Sequence, residues 1–193
     1  MLAVSNLTVE VGGRAVVRDI SFRVHAGTLL WITGENGAGK SSVLRVLAQR
    51  GAARGAVAFD QVPKLTEIAY YSPVMGPPVN TTVRGWLQLN HALLEEKQAA
   101  LSSDDRLLPR VAADSRLTRL STGETKRLLL WSLLRMPRPF TFLDEPYEHL
   151  SPAAKARLTE ILSMRAAESA VVVATNQEVP SIANKQVLEI DVI

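Results

Sequence analysis

Gly34-Glu35-Asn36-Gly37-Ala38-Gly39-Lys40-Ser41 decides the reading of this chain, because it satisfies the pattern G-x-x-x-x-G-K-[ST] in full. Upstream, Thr28 to Thr33 (TLLWIT) is a short apolar run of the kind a buried strand needs. Downstream, Lys40 to Arg50 places Val43, Leu44, Val46 and Leu47 on one helical face. A glycine-rich turn between a strand and a helix aims backbone N–H groups inward, and the helix N-terminus adds partial positive charge. Such a turn is a cradle for phosphate. Gly34, Glu35, Asn36, Gly37, Ala38, Gly39, Lys40, Ser41 and Ser42 are therefore the expected nucleotide-binding residues. Lys40 would reach the β- and γ-phosphates, and the Ser41 hydroxyl would ligate Mg²⁺.

The matching half of such a site is Phe140 to Glu145 (FTFLDE), an apolar strand that ends in adjacent carboxylates. Asp144 is expected to hold the metal and Glu145 to orient and deprotonate the attacking water. Neighbouring residues at a strand end point in different directions, so the two acids can take separate tasks. Around these motifs, strands are expected at Leu2–Val11, Val16–His25, Ala56–Phe59, Ile68–Tyr71, Ala170–Thr175 and Gln186–Val192. Helices are expected from Val83 to about Leu94 behind a Thr81 or Thr82 cap, from Thr125 to Met136, and from Ala153 to Ala166 behind Ser151-Pro152. Residues 95–115 also read as helical in pattern, with a break at Pro109. Trp86, Leu89 and Leu93 would share one helix side. Strands alternating with helices, and apolar throughout near the motifs, predict an α/β fold. Its sheet would be mostly parallel with helices on both faces, beside an N-terminal antiparallel β layer.

At 193 residues the default is one domain with a real core, and 47% hydrophobic and 21% charged residues are globular values. No cysteine is present, which excludes disulfides, thiol chemistry and Cys-ligated metals. No apolar run has the length of a membrane span, and the N-terminus does not read as a signal peptide. The net charge of +3 is small and its charges are mixed along the chain, so nucleic acid is not an expected partner. His25, His91 and His149 share no metal-ligand spacing, and Trp31 and Trp131 read as core.

Taken in order, Gly34–Ser41, Leu120-Ser121-Thr122-Gly123-Glu124 and Phe140–Glu145 resemble an ABC-type ATPase domain, over nearly the whole chain. Within that family the sequence is similar to the small ATP-binding subunit of cytochrome c maturation systems, linked to haem export. Trp31–Lys40 and the stretches Ala174–Val179 and Asn184-Lys185 carry this second likeness. The resemblance implies one ATP-binding P-loop domain over 1–193 with a helical subdomain at about 74–135. It implies ATP and Mg²⁺ as ligands, with Ser121 and Gly123 of a second ATP-binding subunit closing on the γ-phosphate of the first, in a homo- or heterodimer. It also implies integral membrane subunits as partners, and a cytoplasmic, peripheral position on the inner face of the cell membrane. Other readings of the same machine are a lipid or peptide exporter, or a weakly hydrolysing nucleotide-binding scaffold.

The chain departs from the family pattern at several places. No aromatic precedes Phe22, and Val11 stands about where the adenine-stacking residue is expected. Pro73 follows the Ile68–Tyr71 strand where a glutamine is usual, and Ser151 stands where an aspartate is usual. Asn176 replaces a histidine that contacts γ-phosphate, so it can still donate a hydrogen bond but cannot share a proton. With Glu145, it completes the expected catalytic residues. Met75, Pro77, Pro78 and Trp86 are expected either in a membrane-partner patch or in loop packing.

Overall fold

The computed structural model describes residues 1–76, 80–92, 107–178, 180, 182 and 184–193. The chain packs as two compact units. Met1–Ser72, Arg138–Pro146 and Leu162–Ile193 form the first, and Pro73–Pro137 with Tyr147–Ile161 form the second.

The first unit opens with the expected antiparallel layer. β1 (Leu2–Val11) and β2 (Arg14–Val24) form a hairpin across Gly12-Gly13. After β3 (Leu29–Thr33) and α1 (Lys40–Leu47), β4 (Arg54–Phe59) returns to pair antiparallel with β1. The sheet order is β2-β1-β4. Composition marks the Ala56–Phe59 segment as a strand but does not say which sheet it joins. β5 (Ile68–Tyr71) belongs to the second sheet of this unit.

Through the other unit run α2 (Val83–Ala92) and α3 (Thr122–Leu134). The chain then re-enters the first unit as β6 (Phe140–Asp144), α4 (Pro152–Ala166) begins in the second unit and ends in the first, and β7 (Ala170–Ala174) and β8 (Lys185–Glu189) follow in the first. The five-stranded sheet has the order β5-β6-β7-β3-β8, and every pair in it is parallel. Its inner strands are buried at every residue from Phe140 to Asp144 and from Ala170 to Ala174, which is why they read as unbroken apolar runs. Val43, Leu44 and Leu47 of α1 pack with Leu30, Ile32, Phe142 and Val172 in one core. Burying such a side chain fully contributes about 1.5–3 kcal/mol, so this core fixes where α1 begins relative to the strand ends. Trp31 is fully buried, as its apolar setting implies.

The second unit has its own core of Val83, Leu117 and Leu128, packed by Trp86, Leu87, Leu108, Val111 and Leu120. The Thr82 hydroxyl accepts the Gly85 N–H at 3.2 Å and so caps α2. Trp86 is packed inward, with its indole N–H donating to Ser132 at 2.8 Å. Val74 and Met75 remain exposed. Leu89 also faces solvent, unlike the shared side expected of it with Trp86. Leu93, Leu94 and residues 95–106, like Pro77, Pro78 and Val179, lie outside the described residues.

Several boundaries differ from expectation, three of them for a local reason. Residues 107–115 form turns instead of helix, with Val111 N–H bonded to the Pro109 carbonyl and Ser115 N–H to that of Ala112. Pro109 has no N–H to continue a helix. α3 starts at Thr122, not Thr125, because Ser121 and Glu124 form a capping box one turn earlier. β8 spans Lys185–Glu189 and not Gln186–Val192, since its register follows Leu29 to Thr33 of β3 and stops where β3 does. α4 starts as expected, with Pro152 in its first position and Ser151 Oγ accepting the Ala154 N–H at 3.4 Å.

Candidate functional site: the strand ends around the phosphate loop

The phosphate loop leaves β3 at Thr33 and enters α1 at Lys40. Gly34 lies against the chain beyond β8: a Cβ there would collide with the carbonyl oxygen of Ile190, at a φ of +144°. Gly39 lies against β2, where a Cβ would stand 2.5 Å from Val17 Cγ2 and 3.0 Å from the Val16 carbonyl. Its φ of 94° is one that side-chain-bearing residues rarely adopt. These contacts explain the glycines physically, as places where backbone must pass close to backbone. Lys40 is buried, and its ammonium donates to the carbonyls of Gly34 and Glu35, each at 2.8 Å. The charge is thus held inside the loop that would receive phosphate.

The strand order then accounts for the rest of the site. β6 is separated from β3 by β7, so the carboxylates and the loop meet across the end of β7. Ser41 Oγ donates to Asp144 Oδ1 at 2.9 Å, joining residues 103 apart in the chain. Asp144 is buried. Burial pushes its carboxyl above the usual range, opposed by the Ser41 hydroxyl, the charges of Arg45 and Lys40, and Ser72. Glu145 breaks the strand with a φ of 44°. This left-handed turn sends its side chain away from that of Asp144, toward the end of β7. There Thr175 Oγ1 donates to Glu145 Oε2 at 3.0 Å, and the Asn176 N–H donates to Oε1 at 2.9 Å. Burial raises the Glu145 pKa, the Thr175 hydroxyl, the Lys40 charge and the Asn176 N–H lower it, and the Asp144 charge raises it. The Asn176 side chain donates to Asn36 Oδ1 at 2.9 Å, which ties the loop to the strand that positions Glu145.

The structure therefore gathers Asn36, Lys40, Ser41, Asp144, Glu145 and Asn176 in the first unit. Ser121 and Gly123 lie in the second, on the first turn of α3. The Ser121 hydroxyl donates to Glu124 Oε2 at 2.8 Å, and the Ser121 N–H reaches the same oxygen at 2.9 Å. These bonds hold the Glu124 carboxyl below its usual range. Gly123 has no room for a Cβ, which would stand 2.9 Å from the His149 carbonyl.

Two residues of the cluster are not evident from motif spacing. Ser72 Oγ stands 3.5 Å from Asp144 Oδ2. Thr175 joins Glu145 as described. In both cases the signal is register. Tyr71 pairs with Leu143, so the next residue, Ser72, stands beside Asp144. Ala174 pairs with Asp144, so Thr175 stands beside Glu145. At the Pro73 position the sequence shows a lost polar group, and the adjacent serine is what faces the carboxylate.

Asp144 and Ser41 present hard oxygen donors, and the desolvated Asp144 carboxylate is suited to a cation. Among the described residues no cluster of three or more His, Cys, Asp or Glu could hold a metal by itself. A cation here would share its coordination with phosphate oxygens, which fits Mg²⁺.

A glycine loop closing on a helix, with a carboxylate-tipped strand brought beside it on a parallel sheet, defines a phosphate-loop nucleotide-binding protein. The profile of the ABC transporter family matches residues 17–148, and the chain belongs to that family. It is an ATP-binding subunit of ABC type and, at that level, an ATPase. It is 34% identical to the cytochrome c biogenesis ATP-binding export protein CcmA of Rhodobacter capsulatus, over 91% of this chain and 81% of that protein. To the protein of the same name from Cereibacter sphaeroides it is 32% identical, covering 98% and 88%. In fold it is similar to an ABC transporter ATP-binding protein of Pyrococcus furiosus, with a TM-score of 0.79 at 19% identity, covering 97% of this chain and 96% of that one. It is also similar to an ATP-binding cassette solved as a dimer with ADP and Pi, with a TM-score of 0.70 at 20% identity, covering 92% and 88%. No helix among the described residues is long and apolar enough to cross a membrane.

Proposed function

We propose that this chain is the ATP-hydrolysing subunit of a membrane complex that handles haem in cytochrome c maturation. The likeness to the cytochrome c biogenesis export proteins supports the haem link. The observation that carries the enzymatic reading is the 2.9 Å bond between Ser41 and Asp144 beside a separately held Glu145. One carboxylate faces the loop, and the other is held apart from it by Thr175 and Asn176.

In this reading the N–H groups of Gly34–Ser42 receive the phosphates of ATP, and Lys40 turns from the loop carbonyls to the phosphate charge. Ser41 and Asp144 hold Mg²⁺, which neutralises developing phosphate charge when bound. Glu145 orients the attacking water and accepts its proton. Partial burial supports that task by raising its basicity. Asn176 exchanges its bond to Asn36 for one to the γ-phosphate. Ser121 and Gly123 of a second ATP-binding subunit complete the site from the N-terminus of α3, the Ser121 hydroxyl leaving Glu124 to do so. The whole of 1–193 acts as one ATP-binding domain, docked on integral membrane subunits at the inner face of the membrane. Closure and opening of the ATPase pair would drive those subunits.

Lys40→Ala is expected to abolish ATP binding, and Glu145→Gln to retain it while trapping a closed pair, read by equilibrium titration and size-exclusion chromatography. Unchanged ATP affinity in the lysine variant would defeat the site assignment. For the haem link, the chain is recovered from detergent-solubilised membranes and its partners identified by mass spectrometry and a haem absorption spectrum. Recovery with membrane proteins of another transport system would remove cytochrome c maturation from the reading and leave the ATPase.

A further inference from the structure

Asn36-Gly37 is the one place in the chain where an asparagine precedes a glycine. Leu7, Thr81, His91, Gln177 and Lys185 follow the other asparagines. The pair matters chemically because glycine has no side chain to keep its nitrogen away from the preceding amide carbon. Both residues are exposed. A Cβ at Gly37 would meet nothing within 4 Å, so the loop is unhindered on that side. The next residue is engaged, the Ala38 N–H donating to the Glu35 carbonyl at 3.2 Å, whereas the Gly37 N–H donates to no group among the described residues. The Asn36 amide is held through one atom. Its Oδ1 accepts the Asn176 side chain at 2.9 Å, and its Nδ2 makes no bond among the described residues. A nitrogen with no acceptor and an amide whose leaving group is unrestrained thus adjoin in the loop that would cradle phosphate.

Resting on the nucleotide-site reading above, we propose that Asn36 is a site of spontaneous deamidation, open while the loop holds no nucleotide and closed by bound nucleotide. The Gly37 N–H gives its proton to base in the solvent, and the nitrogen adds to Asn36 Cγ. The N–Cγ bond forms, the Cγ–Nδ2 bond breaks, and ammonia leaves with a proton from solvent. Water then opens the five-membered imide at either carbonyl, giving aspartate or isoaspartate. Aspartate puts a negative charge where the triphosphate must lie, and like charges a few ångströms apart repel. Isoaspartate also carries an extra methylene into the backbone, lengthening a loop that packs closely at Gly34 and Gly39. Bound ATP engages the Gly37 N–H with phosphate oxygen and so removes the nucleophile. Without nucleotide, the bond from Asn176 is the restraint on the Asn36 side chain.

The full chain is aged at mildly alkaline pH, with and without Mg²⁺ and a non-hydrolysable ATP analogue. Asn36 is followed by peptide mass spectrometry and isoaspartyl methyltransferase labelling, and nucleotide affinity by titration calorimetry. Asn36 should react ahead of the other asparagines and faster as pH rises, and the reacted chain should bind ATP about tenfold more weakly or worse. The analogue at about 100 times its Kd should slow the reaction about a hundredfold, since only the unoccupied loop reacts. In Lys40→Ala that protection should vanish. Asn176→Ala loses one hydrogen bond to Asn36 and should react about two- to tenfold faster. Asn36→Gln, whose amide carbon lies one bond further from the Gly37 nitrogen, should age with no loss of ATP affinity. An Asn36 that stays intact while other asparagines react would overturn the proposal, and so would an unchanged rate in chain shown to be saturated with the analogue. If fresh chain binds no nucleotide, the nucleotide-site reading itself fails and the proposed protection falls with it.

Discussion

Thr175→Val tests whether Glu145 is held for catalysis or merely packed. Valine has nearly the shape of threonine, so the buried position stays filled and the change is the loss of one hydroxyl. That hydroxyl donates to Glu145 Oε2 at 3.0 Å and accepts the Gln177 N–H at 3.0 Å. A hydrogen bond to a charged group contributes about 1.5–3 kcal/mol. Glu145 is half-buried, so the lower end applies. About 1.4 kcal/mol corresponds to a tenfold rate effect, if the bond orients the base in the transition state. Steady-state ATP turnover should therefore show kcat down about tenfold with KM for ATP nearly unchanged, because the Thr175 hydroxyl bonds Glu145 and Gln177 and not the phosphate loop among the described residues. Thr175→Ser restores the hydroxyl and should recover most of the rate. A kcat within twofold of the parent, or a rise in KM in place of a fall in kcat, would refute the positioning argument.

Two further outcomes are expected. Tyr147 is buried, with its hydroxyl 3.0 Å from Thr159 Oγ1, and burial pushes its pKa up to about 12 from 10.0. Between those values the unfolded chain releases this proton and the folded chain keeps it. Stability is therefore lost as pH rises from about 10 to about 12, by roughly 2–3 kcal/mol. Tyr147→Phe removes this part of the decline at a cost of about 1 kcal/mol at neutral pH, measured by urea unfolding across the alkaline range. If the parent and the variant fall in parallel above pH 10, the assigned cause is wrong. Gly34→Ala places a Cβ against the Ile190 carbonyl at a φ of +144°. It should lose at least about 2 kcal/mol in unfolding free energy and bind ATP poorly, and near-parental stability would show that β8 and the loop can part cheaply.

The motifs were legible because each is local. Strand, glycine turn and helix at Thr28–Arg50 lie within one stretch, and the apolar strand of Phe140–Glu145 within another. Their places at a strand end and a helix start follow from spacing alone, as does the parallel sheet from unbroken apolar runs at Phe140–Asp144 and Ala170–Ala174. Ser151 and Pro152 marked the start of α4 for the same reason. Less legible were the places where local patterns compete. Ser121 to Glu124 reads as a phosphate-binding motif, and it is equally a capping box, which is the form its hydrogen bonds take. Leu89 keeps helical spacing with Trp86 yet faces solvent, because α2 contributes Val83 to the Val83–Leu117–Leu128 cluster and packs Trp86 and Leu87 against it.

Local spacing thus settled which residues form the loop, the carboxylate pair and the strands, since those depend on contacts within a few residues. Tertiary structure decided which of them meet. Strand order put β7 between β6 and β3, and register put Ser72 beside Asp144 and Thr175 beside Glu145. The Asn36–Asn176 bond joins residues 140 apart in the chain, and β1 pairs with β2 through three shifts of register. Such pairings arise from burying whole strands against one another. That gain is non-directional and is summed over the entire sheet, so no single stretch of sequence carries it.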